Sequence, residues 1–300
     1  MERKRNTQAK VSEMLGVEAE KIIAATHPID VMDLKELKSE YLKLHQSNKE
    51  LFESFRCAAS IQQGLLPQQR HFDRLFSDYF VLYDPQNIIS GDFYWIGNND
   101  GILYFAVSDC TGHGISGAML SVLGISFLNY VVYSKDYTSL SDILCELDQK
   151  WLETFHIYAD EEKDNNWMEM SLCSFDPKTR ILKFAGARNK VVVISQEGEQ
   201  VLYGERYPIG GWQIETERTY HQQEIRVPEN SMVYLSTDGY KDQIGGPKDK
   251  TFKERKMREY LNELYYLPAK NQKAFLTMAF NEWKGDNVQT DDVCLLGVRL

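Results

Sequence analysis

From residue 34 onward, apolar positions recur at alternating spacings of three and four. Leu34, Leu37, Tyr41, Leu44, Asn48, Leu51, Phe55, Ala58, Gln62 and Leu65 trace one line. That spacing is the seam of a coiled coil, and it predicts a long helix pairing with a second copy of the chain through residues 31–66. Asn48 falls on the seam, where a buried amide fixes register and oligomeric state at some cost in stability. Gly64 and Pro67 are expected to end the helix. Upstream, Val11, Met14, Leu15, Ala19, Ile22 and Ile23 share a weaker helical face, which His27-Pro28 breaks before Asp30 caps the next helix. The expected organisation is a helical segment over 1–27, a dimerisation helix over 30–66 and one large domain over 67–300.

Beyond Gln68 the period changes to two. Phe80–Tyr83 reads as a strand, and Phe93–Ile96 and Ile102–Ser108 read as a hairpin around Asn98-Asn99-Asp100-Gly101. Met168–Phe175 and Ile181–Ala185 form a second hairpin around Asp176-Pro177-Lys178-Thr179. Val191–Ile194, Gln223–Val227, Met232–Ser236 and Val293–Arg299 are further strands. Helices are predicted near 115–133, 139–157, 251–266 and 270–284. Strands in hairpins with helices inserted in pairs indicate an antiparallel α+β sandwich, not a wound βαβ sheet.

Charge and cysteine content narrow the function classes. The net charge of −10 argues against nucleic acid or an anionic membrane as the main partner. Cys57, Cys110, Cys145, Cys173 and Cys294 are scattered and odd in number, so neither a zinc site nor a disulfide framework is expected, and a cytoplasmic location fits. The apolar run over residues 115–133 is interrupted by Ser116, Gly117, Ser121, Gly124, Ser126 and Asn129, which favours a buried core helix over a membrane span.

The candidate chemistry lies in four acidic stations where strand patterns meet turns. These are Ser90-Gly91-Asp92-Phe93-Tyr94, Asp109-Cys110-Thr111-Gly112-His113-Gly114, Ser236-Thr237-Asp238-Gly239 and Thr290-Asp291-Asp292-Val293. Strand-end carboxylates gathered by a fold suit hard divalent cations, which take oxygen ligands. Glycines beside them allow tight backbone paths and close ligand approach. Taken singly, an Asp-Gly pair is an ordinary turn and an Asp before a strand is ordinarily solvated. The residues alone therefore reach a divalent-metal site in a β-rich domain.

In order and spacing these motifs resemble the bacterial SpoIIE-like phosphatases, within the metal-dependent (type 2C, PPM) protein serine/threonine phosphatases. Ile61-Gln62-Gln63-Gly64-Leu65-Leu66-Pro67 resembles the lead-in to that domain, Phe184-Ala185-Gly186-Ala187-Arg188-Asn189 resembles its central hairpin, and the likeness runs over about residues 60–300. The resemblance implies an α-β-β-α sandwich with two Mn2+ or Mg2+ ions at one edge of the paired sheets. It implies hydrolysis of phosphoserine or phosphothreonine on a protein, in this family often an anti-sigma-factor antagonist, by a metal-activated water attacking in line. Carried over by motif, Asp109 bridges both metals, the Cys110 backbone carbonyl adds a ligand, Asp238 and Asp291 hold one ion, and Asp92 serves the other.

Departures from the family pattern are mild. Ser90 replaces a common glycine, Cys110-Thr111 replaces Val-Ser, and Val293-Cys294 replaces Ile-Thr. Residues 85–91 hold no arginine, whereas animal and plant relatives place a phosphate-binding arginine upstream of the first acidic motif. Arg188 and Lys190 are alternatives for that contact, with surface solvation the plainer role. His113 is considered as a general acid, with a structural place in its glycine loop as the alternative. Two other functions fit the residues less well: a non-catalytic pseudophosphatase signalling module, although no metal carboxylate is missing, and a phosphohydrolase of small phosphoesters.

Overall fold

The computed structural model describes residues 31–112, 114–134, 137, 139–156, 165–212 and 218–300. The helical face expected over 1–27 lies outside the described residues, as does His113. The chain divides between Ser54 and Phe55 into two compact units.

The boundary falls within a single helix, α1 (Val31–Leu65), which runs through Gly64 and ends ahead of Pro67. Its first-unit portion is exposed on every described turn, and Leu37, Tyr41, Leu44 and Leu51 are each more than half in solvent. Its second-unit portion changes character. Phe55 and Ala58 pack with Ile88, Ile89 and Ala118, and Gln62 is 3% exposed. The last turns of the seam thus cover this chain's own second unit.

That unit continues through α2 (Gln69–Leu75), β1 (Tyr79–Asp84), β2 (Phe93–Asn99), β3 (Ile102–Cys110), α3 (Ile115–Ser134) and α4 (Leu140–His156). Next come β4 (Trp167–Asp176), β5 (Ile181–Ala187), β6 (Lys190–Ser195), β7 (Gly198–Tyr203), β8 (Ile209–Gly210), β9 (Gln223–Arg226) and β10 (Met232–Ser236). The chain closes with α5 (Gly239–Asp242), β11 (Ile244–Gly245), β12 (Lys250–Thr251), α6 (Glu254–Leu264), α7 (Ala269–Lys284) and β13 (Val293–Arg299). One antiparallel sheet has the order β1-β13-β10-β6-β7, and the other has β2-β3-β4-β5-β9 with β8 beside β4.

Alternation along the strands builds the layers. Val191 and Val193 of β6, Val233 and Leu235 of β10 and Leu296 and Val298 of β13 meet Phe105 and Val107 of β3 and Phe184 of β5 between the sheets. Their neighbours Val192, Ile194, Met232, Tyr234 and Leu295 point the other way, against Met257 and Leu261 of α6 and Leu276 and Phe280 of α7. On the opposite flank Trp95, Ala106 and Leu172 face Leu128 of α3 and Leu144 and Trp151 of α4. A period of two with apolar residues on both faces requires a partner layer on each side, and that is the α-β-β-α sandwich. The stretch Ile115–Tyr133 within α3 is apolar and long enough to cross a membrane, but half of it is buried, and it packs on β2, β3 and α4.

Candidate active site

Antiparallel register sets which strand ends meet. Phe93 pairs with Ser108, so Asp92, just before β2, and Asp109, next to last in β3, come to the same edge. In the other sheet Ser236 pairs with Leu295, which sets Thr237 and Asp238, after β10, beside Asp291 and Asp292, ahead of β13. Facing the two sheets across one core brings all four stations together.

Two links join the sheets at this edge. The Thr237 hydroxyl donates to Asp92 Oδ2 at 2.6 Å, while the Cys294 amide donates to the same hydroxyl oxygen at 3.0 Å. Asp292, 5% exposed, accepts from the Gly91 amide at 2.8 Å and from the Gln86 amide at 2.7 Å. It is therefore a clamp on the loop that carries Asp92. Two glycines make the approach possible. A Cβ on Gly239 would sit 2.0 Å from the Asp292 carbonyl oxygen, and one on Gly91 would sit 2.9 Å from that of Cys110. The Cys110 carbonyl, a ligand by resemblance, thus abuts Gly91 near Asp92, and the Cys110 thiol is buried.

Exposure grades outward across the predicted residues. Asp92 is buried, Asp109 and Asp238 are half-buried, and Asp291 stands at the rim. Burial pushes the Asp92 carboxyl well above the carboxylate range, and the nearby charges of Asp109, Asp292 and Asp291 push it further, against the opposing Thr237 hydrogen bond. Asp109 is raised by burial and then by Asp238, Asp291, Glu169 and Asp292. These mutual effects mark six carboxylates as one electrostatic cluster. Among the described residues no three of them close on a point as a finished cage. The donor set still fits the implied group: it is all oxygen, and its repulsion is of the kind that hard cations relieve.

Sequence reasoning passed over Thr237 and Glu169 as functional residues and left Asp292 without a role. Glu169 lies opposite Asp109 in the β3–β4 register, and its pair with Arg188 at 3.3 Å ties the cluster to the link that crosses from β5 in one sheet to β6 in the other. The available signal was a lone charged residue in the strand pattern from Trp167 to Phe175. Ser90 also has a role. Its hydroxyl accepts from the Asp92 amide at 3.0 Å, and its own peptide is gripped by Gln62, which accepts from its amide and donates to its carbonyl.

The profile of stage II sporulation protein E (SpoIIE) matches residues 99–300. A comparison with curated protein sequences gave no match. Among solved structures, the SiaA-PP2C domain of Pseudomonas aeruginosa is similar with a TM-score of 0.76 and 28% identity, covering 85% of this chain and 98% of that one. The PP2C phosphatase domain of SpoIIE from Bacillus subtilis, with a fragment of its regulatory domain, gives 0.61 at 15% identity, covering 74% and 63%. RsbX in complex with magnesium gives 0.52 at 15% identity, covering 74% and 94%. The last two likenesses show the fold alone. With the sandwich and the carboxylate edge, the profile match places this chain in the SpoIIE family, as a phosphatase of the PP2C type.

Proposed function

We propose that this protein removes phosphate from phosphoserine or phosphothreonine on a bacterial signalling protein, such as an anti-sigma-factor antagonist, using two Mn2+ or Mg2+ ions. The observation that carries this reading is the convergence of Asp92, Asp109, Asp238 and Asp291 from two facing sheets onto one edge. Asp109, at the centre of the cluster, would bridge the two ions, Asp238 and Asp291 would hold one, and Asp92 would serve the other, with the Cys110 carbonyl as a further ligand. When bound, such ions supply Lewis acidity that activates water and neutralises charge on the phosphoryl oxygens. The chain's own residues do the positioning. Thr237 fixes the Asp92 carboxylate, Asp292 fixes the loop beneath it, and the buried strand ends keep the cluster rigid.

The test is release of phosphate from a phosphoserine peptide by the full chain in Mn2+, with Asp109→Asn and Asp238→Asn each expected to abolish it. Equal activity in either variant would defeat the metal assignment. Faster turnover of nucleotides or sugar phosphates than of the peptide would point to a small-molecule phosphohydrolase, and tight peptide binding without turnover to a pseudophosphatase.

We also propose that the chain acts in the cytoplasm as a homodimer through the helix over residues 31–66, pairing along the exposed turns ahead of Phe55, with 67–300 as the catalytic domain on which the last turns pack. The exposed Leu37, Tyr41, Leu44 and Leu51 supply the apolar seam that pairing would cover. Sedimentation equilibrium checks it: changing Leu44 and Leu51 to Lys is expected to yield monomers.

A further inference from the structure

Next to the carboxylate edge lies a groove of about 350 Å³. Thr237 and Asp238 of the carboxylate edge are among its lining, and Val192, Tyr234, Met257 and Leu261 line its apolar part. Arg188, Lys190, Arg206, Lys241 and Arg258 gather around it, in a chain whose net charge is −10. Glu169, Glu205 and Glu254 line it as well, and most of the cations are paired with carboxylates. Lys190 pairs with Glu254, Arg258 with Glu199, and Lys241 with Asp242 at 2.9 Å.

Arg188 is placed differently. It opens the link between β5 and β6 with a φ of 52°, a left-handed backbone that a non-glycine residue seldom adopts. Its amide donates to the Glu205 carbonyl at 2.8 Å, the Gly204 amide donates to the Asn189 carbonyl at 2.9 Å, and the Asn189 side chain donates to the Ser236 carbonyl at 3.1 Å. The strained turn is thereby fixed to the strand that leads into Asp238. The guanidinium lies 5.0 Å over the Trp167 ring, pairs with Glu169 at 3.3 Å, and keeps 44% of its side chain in solvent. Strain held in place by surrounding bonds is common where a group must be presented to a ligand. A planar guanidinium is the side chain best matched to phosphate oxygens.

We infer that this groove receives the phosphorylated segment of the protein substrate, with Arg188 binding the phosphate and the apolar floor taking a side chain beside the phosphoresidue. The inference rests on the phosphatase reading for its substrate and assigns the phosphate contact that residues 85–91 lack. Arg188 would move from Glu169 to the incoming dianion, in the groove that Asp238 also lines.

Anisotropy of a fluorescein-labelled peptide carrying a non-hydrolysable phosphonate analogue of phosphoserine with leucine beside it, bound to the full chain in Mn2+, tests this without turnover. Arg188→Ala is expected to weaken binding about tenfold, about 1.4 kcal/mol, and to weaken inhibition by inorganic phosphate comparably. Arg188→Lys should recover part of the loss, and the melting temperature should stay near that of the parent. Exchanging the peptide leucine for glycine should weaken binding several-fold. Unchanged affinity in Arg188→Ala would overturn the phosphate assignment, and indifference to the leucine would overturn that of the floor. Absence of phosphate release by the parent chain would instead count against the hydrolysis reading, while the binding comparison would still report on Arg188.

Discussion

Asp92 and Asp109 carry an energetic conflict that a bound cation would resolve. Both carboxyls are raised above their ordinary range, first by burial and then by like charges. In the unfolded chain they titrate near ~3.9. Above that pH the metal-free folded state holds more protons than the unfolded one, so its stability falls as pH rises through the raised range. Asp109→Asn should therefore melt higher than the parent in EDTA at neutral pH, and lose the gain in melting temperature that Mn2+ gives the parent. Scanning fluorimetry between pH 5 and 8 checks both, and a lower melting point for the variant in EDTA would refute the conflict. Thr237 is the complementary case, because its hydroxyl fixes Asp92 without belonging to the carboxylate set. Thr237→Val should weaken Mn2+ binding by roughly 10–100-fold, the usual range for groups that orient a ligand, with Thr237→Ser close to the parent. Calorimetric titration would separate the three proteins.

At the scale of elements, legibility followed side-chain period and turn chemistry. The hairpin joining β2 and β3 was readable because Asp100 and Gly101 both adopt positive φ, 52° and 85°, the demand that an Asp-Gly turn meets. Strands β6, β10 and β13 were readable as apolar runs because they are buried on both faces. By contrast β7 is an edge strand with exposed positions, and β8, β11 and β12 have two residues each, too few to show a period. Helix α1 gave a continuous seam in the sequence although its use changes along its length. Gln62 holds a seam position, yet its amide donates to the Ser90 carbonyl at 2.6 Å and to the Ser121 hydroxyl at 2.8 Å. No heptad pattern encodes such a contact. It yields a sharp prediction: a chain starting at Phe55 should keep the stability of the second unit, whereas one starting at Gln68 loses the Gln62 bonds and uncovers Ile89. Urea unfolding should show the second less stable by about 2 kcal/mol or more, given the cost of unsatisfied buried polar groups. Equal midpoints and slopes would show that the helix end contributes nothing.

For the whole molecule, the site is a product of topology. Asp92 and Asp291 are almost 200 positions apart, and only the facing of two antiparallel sheets brings their strand ends to one edge. Motif resemblance could name the aspartates, but Glu169 enters by register and Asp292 by a hydrogen bond back to Gly91, neither of which a linear motif states. Six carboxylates in one cluster also make the fold's stability depend on what neutralises them. A cation bound only by the folded state adds about 2.7 kcal/mol at a hundred times its Kd. For a domain of about 250 residues each kcal/mol is worth ~2–4 °C, so saturating Mn2+ should raise the melting temperature by about 5–10 °C over EDTA. Na+ at equal ionic strength should not reproduce it, because screening alone relieves a buried cluster poorly. A shift matched by Na+ would mean that the carboxylates respond to ionic atmosphere alone, and the two-ion reading of this edge would fall with it.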